Sequence, residues 1–166
     1  MRGYCGIGIE NLKHDVNLGT LWRSAHALGA AFIFTVGRRY ERQASDTSVA
    51  YRHLPLFHFV NLDDLRQHVP HDCIPVAVEI LPYATPLHRY AHPERALYLL
   101  GPEDGTLSRA AQMWCRDTVA IQSARCLNVA AAGTIVLYDR LSKHGADLTS
   151  IDGLVSLEEL EATFLR

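Results

Sequence analysis

The sequence has no apolar run near the roughly 18 to 20 residues a membrane span needs. Its opening, MRGYCGIGIENLKH, puts glycines and polar side chains where a signal peptide carries its apolar stretch. A soluble, cytoplasmic protein is the expectation. Cysteine is scarce, with residues only at 5, 73, 115 and 126 and no CxxC pair. That spacing excludes a zinc ribbon or a thioredoxin-type motif, and free buried thiols are expected. The nine histidines include no HExxH pair, so no metal site is predicted. Repeats, low-complexity stretches and Pro/Gly/Ser linkers are missing too. What is there is 166 residues, 48% hydrophobic and 20% charged. A chain of that size buries roughly 70% of its unfolded surface, enough for one domain with a proper core. Residues 1–145 are expected to form that domain, with 146–166 as an accessory acidic tail.

Lysine is nearly absent: of 16 basic residues, only Lys13 and Lys143 are not arginine. The net charge of −2 hides an asymmetry. Residues 1–56 hold seven basic and four acidic side chains, whereas 57–166 hold nine and fourteen. Arginine suits bidentate phosphate contacts, so a local patch can bind a polyanion despite mild overall acidity. Arg38, Arg39, Tyr40, Arg42 and Arg52 are the candidates.

Strand-like and helix-like stretches alternate along the chain. Strands are predicted at 4–10, 30–36, 56–60, 74–80, 96–100 and 118–122. Helices are predicted at 17–29, 61–68, 106–115 and from Leu127 past Tyr138, with Asn17, Ser108 and Asn128 as caps. This pattern gives an α/β fold with a mostly parallel sheet flanked by helices. Ligands of such sheets bind beyond the carboxyl ends of the strands. That rule selects three loops, 79–86, 101–105 and 122–127, which form one pocket if their strands are parallel neighbours.

Four short stretches can carry chemistry. Gly6-Ile7-Gly8 lies inside a strand and lacks the third glycine of a dinucleotide fingerprint, so close strand packing is the better reading and an NAD or flavin enzyme is disfavoured. NLGTLWR (17–23) presents Arg23 off the apolar stripe, beyond the bare Gly19. GPEDGTLS (101–108) makes a fixed turn with Glu103 at its apex. QSARCLN (122–128) leads into a buried helix. Cys126 stands near the start of that helix, but nothing in the spacing supplies the histidine a cysteine hydrolase needs.

In this order and spacing, NxGxxxR, the strand–GPEDGxLS loop and the strand–loop–LNVAAAGTIVLYDR helix resemble the three motifs of the SpoU branch of the SPOUT RNA methyltransferases. The likeness runs from about residue 4 to 143. It implies a C-terminal trefoil knot, a homodimer, S-adenosylmethionine as cofactor, and methylation of a ribose 2′-hydroxyl in tRNA or rRNA. It implies cofactor contacts at Val78, Glu79, Gly101, Ile121, Cys126 and Leu127, with adenine packed on Ile121 and Leu127. Asn17, Arg23, Glu103 and Asn128 take the catalytic positions. Many relatives have Ser where Cys126 stands; if only its backbone matters, nothing is lost. The first motif begins almost at the start, so the catalytic dimer itself is expected to hold RNA through the arginines at 38, 39, 42 and 52. The alternative is an RNA-binding protein that keeps the fold without catalysis.

Overall fold

The run YCGIGIE forms β1 (Tyr4–Glu10), followed by α1 (Asp15–Ala27), β2 (Phe32–Val36), β3 (Leu56–Phe59) and α2 (Leu62–His68). Then come β4 (Ile74–Val78), β5 (Thr85–Pro86) with a 3-10 turn at Leu87–Arg89, β6 (Arg95–Leu100), α3 (Arg109–Trp114), β7 (Asp117–Ala120) and α4 (Val129–Lys143). The computed structural model describes residues 3–37 and 53–144. The arginines at 38, 39, 42 and 52 and the tail 146–166 lie outside the described residues.

The strands among the described residues form one seven-stranded sheet in the order β3-β2-β1-β6-β4-β7-β5. Every pair of neighbours is parallel. A parallel sheet is covered on both faces, which is why its strands read as unbroken apolar runs. Alternate residues of β6 divide between two cores. Ala96, Tyr98 and Leu100 pack with Leu18, Leu21, Trp22 and Ala25 of α1 and with Val136 and Leu137 of α4. Leu97 and Leu99 pack with Leu65 of α2 and Ala111 of α3. Gly133 lets α4 close on its neighbours: a Cβ there would stand 2.5 Å from Leu21 Cδ1. Strand β7 enters between β4 and β5, both made earlier in the chain.

Gly6 and Gly8 are packing residues. A Cβ on Gly6 would lie 2.3 Å from the Phe32 ring, and one on Gly8 would lie 2.3 Å from the Phe34 carbonyl oxygen. Three cysteines, 5, 73 and 115, are buried free thiols as expected; Cys126 is exposed, contrary to expectation.

A polar network pins α4 to the chain entering β6. His92 Nε2 lies 2.8 Å from the Asp139 carboxylate and Nδ1 lies 2.5 Å from Tyr98 Oη. A carboxylate only accepts, so Nε2 donates and Nδ1 takes the tyrosine proton. Burial holds the His92 pKa below the ordinary value, outweighing Asp139. Arg140 donates to the carbonyls of Pro93 and Glu94. Lys143 reaches Leu87 O and Asp139, each at 2.6 Å.

Three local readings need correction. Helix α1 starts at Asp15, and its N-cap is His14, not Asn17. His14 gives no side-chain cap; the start is held instead by the distant Glu103 carboxylate on the amides of Lys13 and His14. Strand β4 ends at Val78 and not at residue 80, with the Glu79 amide making the last bond to β7 at Val119 O. Helix α3 begins at Arg109, capped by Ser108 as expected.

Candidate active site

The strands β6, β4 and β7 are adjacent and parallel, so the three loops that leave their carboxyl ends converge. They bound a cleft floored by α4. Val78, Glu79 and Ile80 line it from the first loop, Gly101 to Glu103 and Gly105 from the second, Ile121, Ser123, Cys126 and Leu127 from the third, and Val129 and Ala132 from α4. All six residues expected to contact a cofactor are in that lining. Leu127 at the mouth is 41% exposed, which leaves apolar surface for a flat apolar ring. Among the described residues no histidine lines the cleft, so none of them offers Cys126 an imidazole base there.

Three carboxylates fix the second loop. Glu79 accepts from the amides of Ile80 and Leu107, both at 2.9 Å, and so joins the first loop to the second. Glu10, at the end of β1, accepts from Ser108 N and Ser108 Oγ, both at 2.7 Å. Glu103 accepts from Lys13 N at 2.9 Å, His14 N at 3.0 Å and Asn17 Nδ2 at 2.6 Å. Partial burial raises the Glu103 pKa, but the Asn17 bond and the backbone amides outweigh it and hold the group below the ordinary carboxylate value. Asp104 pairs with Lys13 on the outer side of the same turn.

From Glu103 a chain of side chains runs across the top of the sheet. Asn17 Nδ2 donates to Glu103, and Asn17 Oδ1 accepts from Asn128 Nδ2 at 2.9 Å. Asn128 Oδ1 caps α4, accepting from Ala130 N at 2.9 Å and Ala131 N at 3.3 Å. The start of α1, the second loop and the start of α4 are thereby locked in one arrangement, with Asn17 buried. Three of the four expected catalytic residues are brought together. Arg23 is not. It is exposed, makes no hydrogen bond or ion pair among the described residues, and is not in the cleft lining. Six residues along a helix amount to about 9 Å of rise and a turn of roughly 240° from Asn17. Above it, a Cβ on Gly19 would meet nothing within 4 Å, the open groove that the sequence suggests.

Residues 5–138 match the SpoU rRNA Methylase family. The chain belongs to this family. No curated protein sequence matches it significantly. Among solved structures, this SpoU chain is similar to the SpoU methyltransferase AviRb from Streptomyces viridochromogenes, seen in complex with AdoMet. The two share 23% identity with a TM-score of 0.74, over 87% of this chain and 62% of that one. It is similar to the A. aeolicus TrmH/SpoU tRNA modifying enzyme at 15% identity and a TM-score of 0.78, over 99% of this chain and 87% of that. An RNA 2′-O ribose methyltransferase aligns at 25% identity with a TM-score of 0.72, over 87% of this chain and 58% of that. This chain thus spans about three fifths of the length of two of these three SpoU relatives. The likeness is one of fold, and it agrees with the parallel sheet flanked by helices.

The sequence reading missed Glu10 as a loop anchor. Glu10 and Ser108 stand 98 residues apart. Nothing local signals the pairing except an acidic residue ending an otherwise apolar strand. Glu79 lines the cleft where ligand contact is expected, and its two oxygens also hold the amides of Ile80 and Leu107, a bracing role that the sequence does not signal.

Proposed function

We propose that this SpoU protein transfers a methyl group from S-adenosylmethionine to a ribose 2′-hydroxyl of tRNA or rRNA. The observation that carries the reading is the Glu103–Asn17–Asn128 chain at the edge of a three-loop cleft. S-adenosylmethionine, when bound, supplies a methyl already activated by its sulfonium. The residues fit it: Ile121 and Leu127 offer apolar faces for adenine, and Gly101 and Cys126 line the same space. Family resemblance and the AdoMet complex of AviRb support the choice of cofactor. The ribose 2′-hydroxyl draws support from the ribose methyltransferase relative.

With an activated methyl, the protein's task is alignment and charge stabilisation. Asn128 and Glu103 hold the loops and the ribose. Arg23 acts as an orienter: a guanidinium keeps its proton too firmly to serve as a base, so it binds the neighbouring phosphate and stabilises charge growing on the 2′-oxygen. It stands apart from its own cleft, which suits a homodimer in which Arg23 of one protomer serves the other's site. Val16 of α1 and Ile135 and Tyr138 of α4 are exposed apolar side chains on the helices such a dimer would cover. The arginines at 38, 39, 42 and 52 contribute phosphate contacts. The trefoil knot belongs to the same reading, supported by the late entry of β7 between β4 and β5.

Thermal unfolding with S-adenosylmethionine, S-adenosylhomocysteine, NAD and FMN tests the cofactor. At about 100 times its dissociation constant a ligand adds about 2.7 kcal/mol, a shift of roughly 5–10 °C for a chain of this size. The adenosyl compounds alone are expected to give it. Labelled methyl transferred to RNA is then expected in alkali-resistant dinucleotides, the mark of a blocked 2′-hydroxyl. Label in alkali-labile mononucleotides refutes ribose methylation. Cofactor and RNA binding without transfer would point to an RNA-binding protein that has lost catalysis.

A further inference from the structure

Beyond the cleft, the shoulder between its first and second loops carries side chains that no step above uses. Tyr83, in the turn after Glu79, is 66% exposed, and Met113 of α3 is 77% exposed. Tyr83 Oη lies 3.5 Å from Gln112 Oε1, which brings the ring against α3. Gln112 is itself fixed by its Nε2 donating to Leu107 O at 2.7 Å. On α3, Arg109, Gln112 and Met113 fall within a stripe about 100° wide, opposite the buried Ala111. Arg109 is exposed and has no hydrogen bond or ion pair among the described residues. The same holds for the guanidinium of Arg125 on the third loop.

The charge of this rim is one-sided. Glu10, Glu79 and Glu103 turn inward and accept backbone amides, and Asp104 is paired with Lys13. Outward, neither Arg109 nor Arg125 is paired with a carboxylate among the described residues. A cation one helical turn from Gln112, the residue that the exposed Tyr83 ring meets, fits a single-stranded nucleic acid, whose phosphates meet the cation and whose bases stack on the ring. A protein partner would find little here beyond one tyrosine and one methionine.

We infer that Tyr83 and Arg109 bind the RNA strand flanking the methylated nucleotide: Tyr83, supported by Met113, stacks on an unpaired base, and Arg109 contacts a phosphate. This inference rests on the RNA-methyltransferase reading and adds a recognition surface on the α3 side of the cleft.

The test is fluorescence anisotropy with a labelled single-stranded 12-nucleotide RNA of mixed sequence, in saturating S-adenosylhomocysteine, from 50 to 200 mM salt. Wild type is compared with Tyr83→Ala, Tyr83→Phe and Arg109→Ala. Loss of one base stack weakens binding about 5- to 150-fold, so Tyr83→Ala is expected in that range and Tyr83→Phe within about twofold of wild type. Arg109→Ala is expected to flatten the log–log salt slope by about 0.7, one phosphate's worth on a single strand. S-adenosylhomocysteine affinity is expected to stay unchanged in all three. Wild-type binding with no change in the variants overturns the rim assignment and leaves RNA methylation standing. Wild type binding the adenosyl compound but not the RNA overturns both. A change in oligomeric mass on Tyr83→Ala, or joint loss of RNA and S-adenosylhomocysteine binding, also overturns it, assigning Tyr83 to a protein contact or to support of the cleft.

Discussion

Replacing Glu10 with alanine tests whether the second loop is held from β1. Glu10 is only 4% exposed and accepts two bonds of 2.7 Å from one residue, Ser108. Hydrogen bonds to a charged group contribute about 1.5–3 kcal/mol each. Part of that is returned in the variant, because a carboxylate no longer has to leave water. A net loss of about 2–4 kcal/mol is expected, read by urea unfolding as a lower midpoint with unchanged slope. For a chain of this size that lowers Tm by roughly 5–15 °C. Ser108→Ala removes the hydroxyl bond to Glu10 and also the α3 cap, where Ser108 Oγ accepts Ala111 N at 3.1 Å. Its cost is expected to be of similar size, about 2–4 kcal/mol. The double variant decides the matter, since the hydroxyl–carboxylate bond can be lost only once. Its cost is expected to fall short of the sum of the single costs by about 1.5–3 kcal/mol. Costs that add to within about 0.5 kcal/mol would refute the claim that these residues act as a pair.

Native protein should expose one thiol to Ellman's reagent, Cys126. Cys73 and Cys115 are buried, with burial pushing their pKa values to about 11 and about 12, and Cys5 is buried and raised as well. Saturating S-adenosylhomocysteine should slow Cys126, since it lines the cleft; two fast thiols, or no protection, contradict the site. His92 predicts acid sensitivity. Its folded pKa is below the unfolded value, so its contribution is present above about pH 6.5 and is lost as pH falls through the folded pKa. Tm should drop between pH 7.5 and 5.5, and His92→Gln should lower Tm at pH 7.5 while flattening that drop; an equally steep drop in the variant removes His92 as the cause. Gly8→Ala drives a methyl against the Phe34 carbonyl and should cost about 1–3 kcal/mol or more in urea unfolding, whereas an unchanged midpoint would mean that β1 and β2 can separate. Arg23→Ala should leave Tm within about 1 °C, since the side chain has no partner among the described residues, yet lower methyl transfer about 10²- to 10³-fold; retained activity would remove Arg23 from the chemistry.

The parts of the fold legible in the sequence are those that local pattern determines. Unbroken apolar runs mark strands buried on both faces, and β1, β4 and β6 follow them. Ser108 and Asn128 cap their helices as residues of their type do, each accepting amides two or three positions on. The three loops converge because parallel neighbours point their carboxyl ends the same way. The reading fails where a distant group replaces a local signal. Asn17 looks like a cap, but Glu103, 86 residues away, takes its amide and draws it into the first turn. Strand β5 is two residues, Thr85 and Pro86, too short to carry a period, and it exists only by pairing with β7. Cys126 looks like a small buried residue by type, yet the loop holds it at the mouth of the cleft.

That dependence of β5 on β7 governs how the molecule is assembled during synthesis. When the ribosome has released residues up to 116, Thr85 and Pro86 have no ladder to join, and the outer edge of β4 is an open strand edge of the kind that invites mispairing. Asp117–Ala120 closes both at once, and the third wall of the cleft arrives directly behind it. A nascent or truncated chain therefore carries no weakened version of the site. The site is completed last, by residues 117–143, which supply β7, the third wall and the α4 floor, and the half-made sheet is the stage at which a chaperone or a protease has the most to recognise.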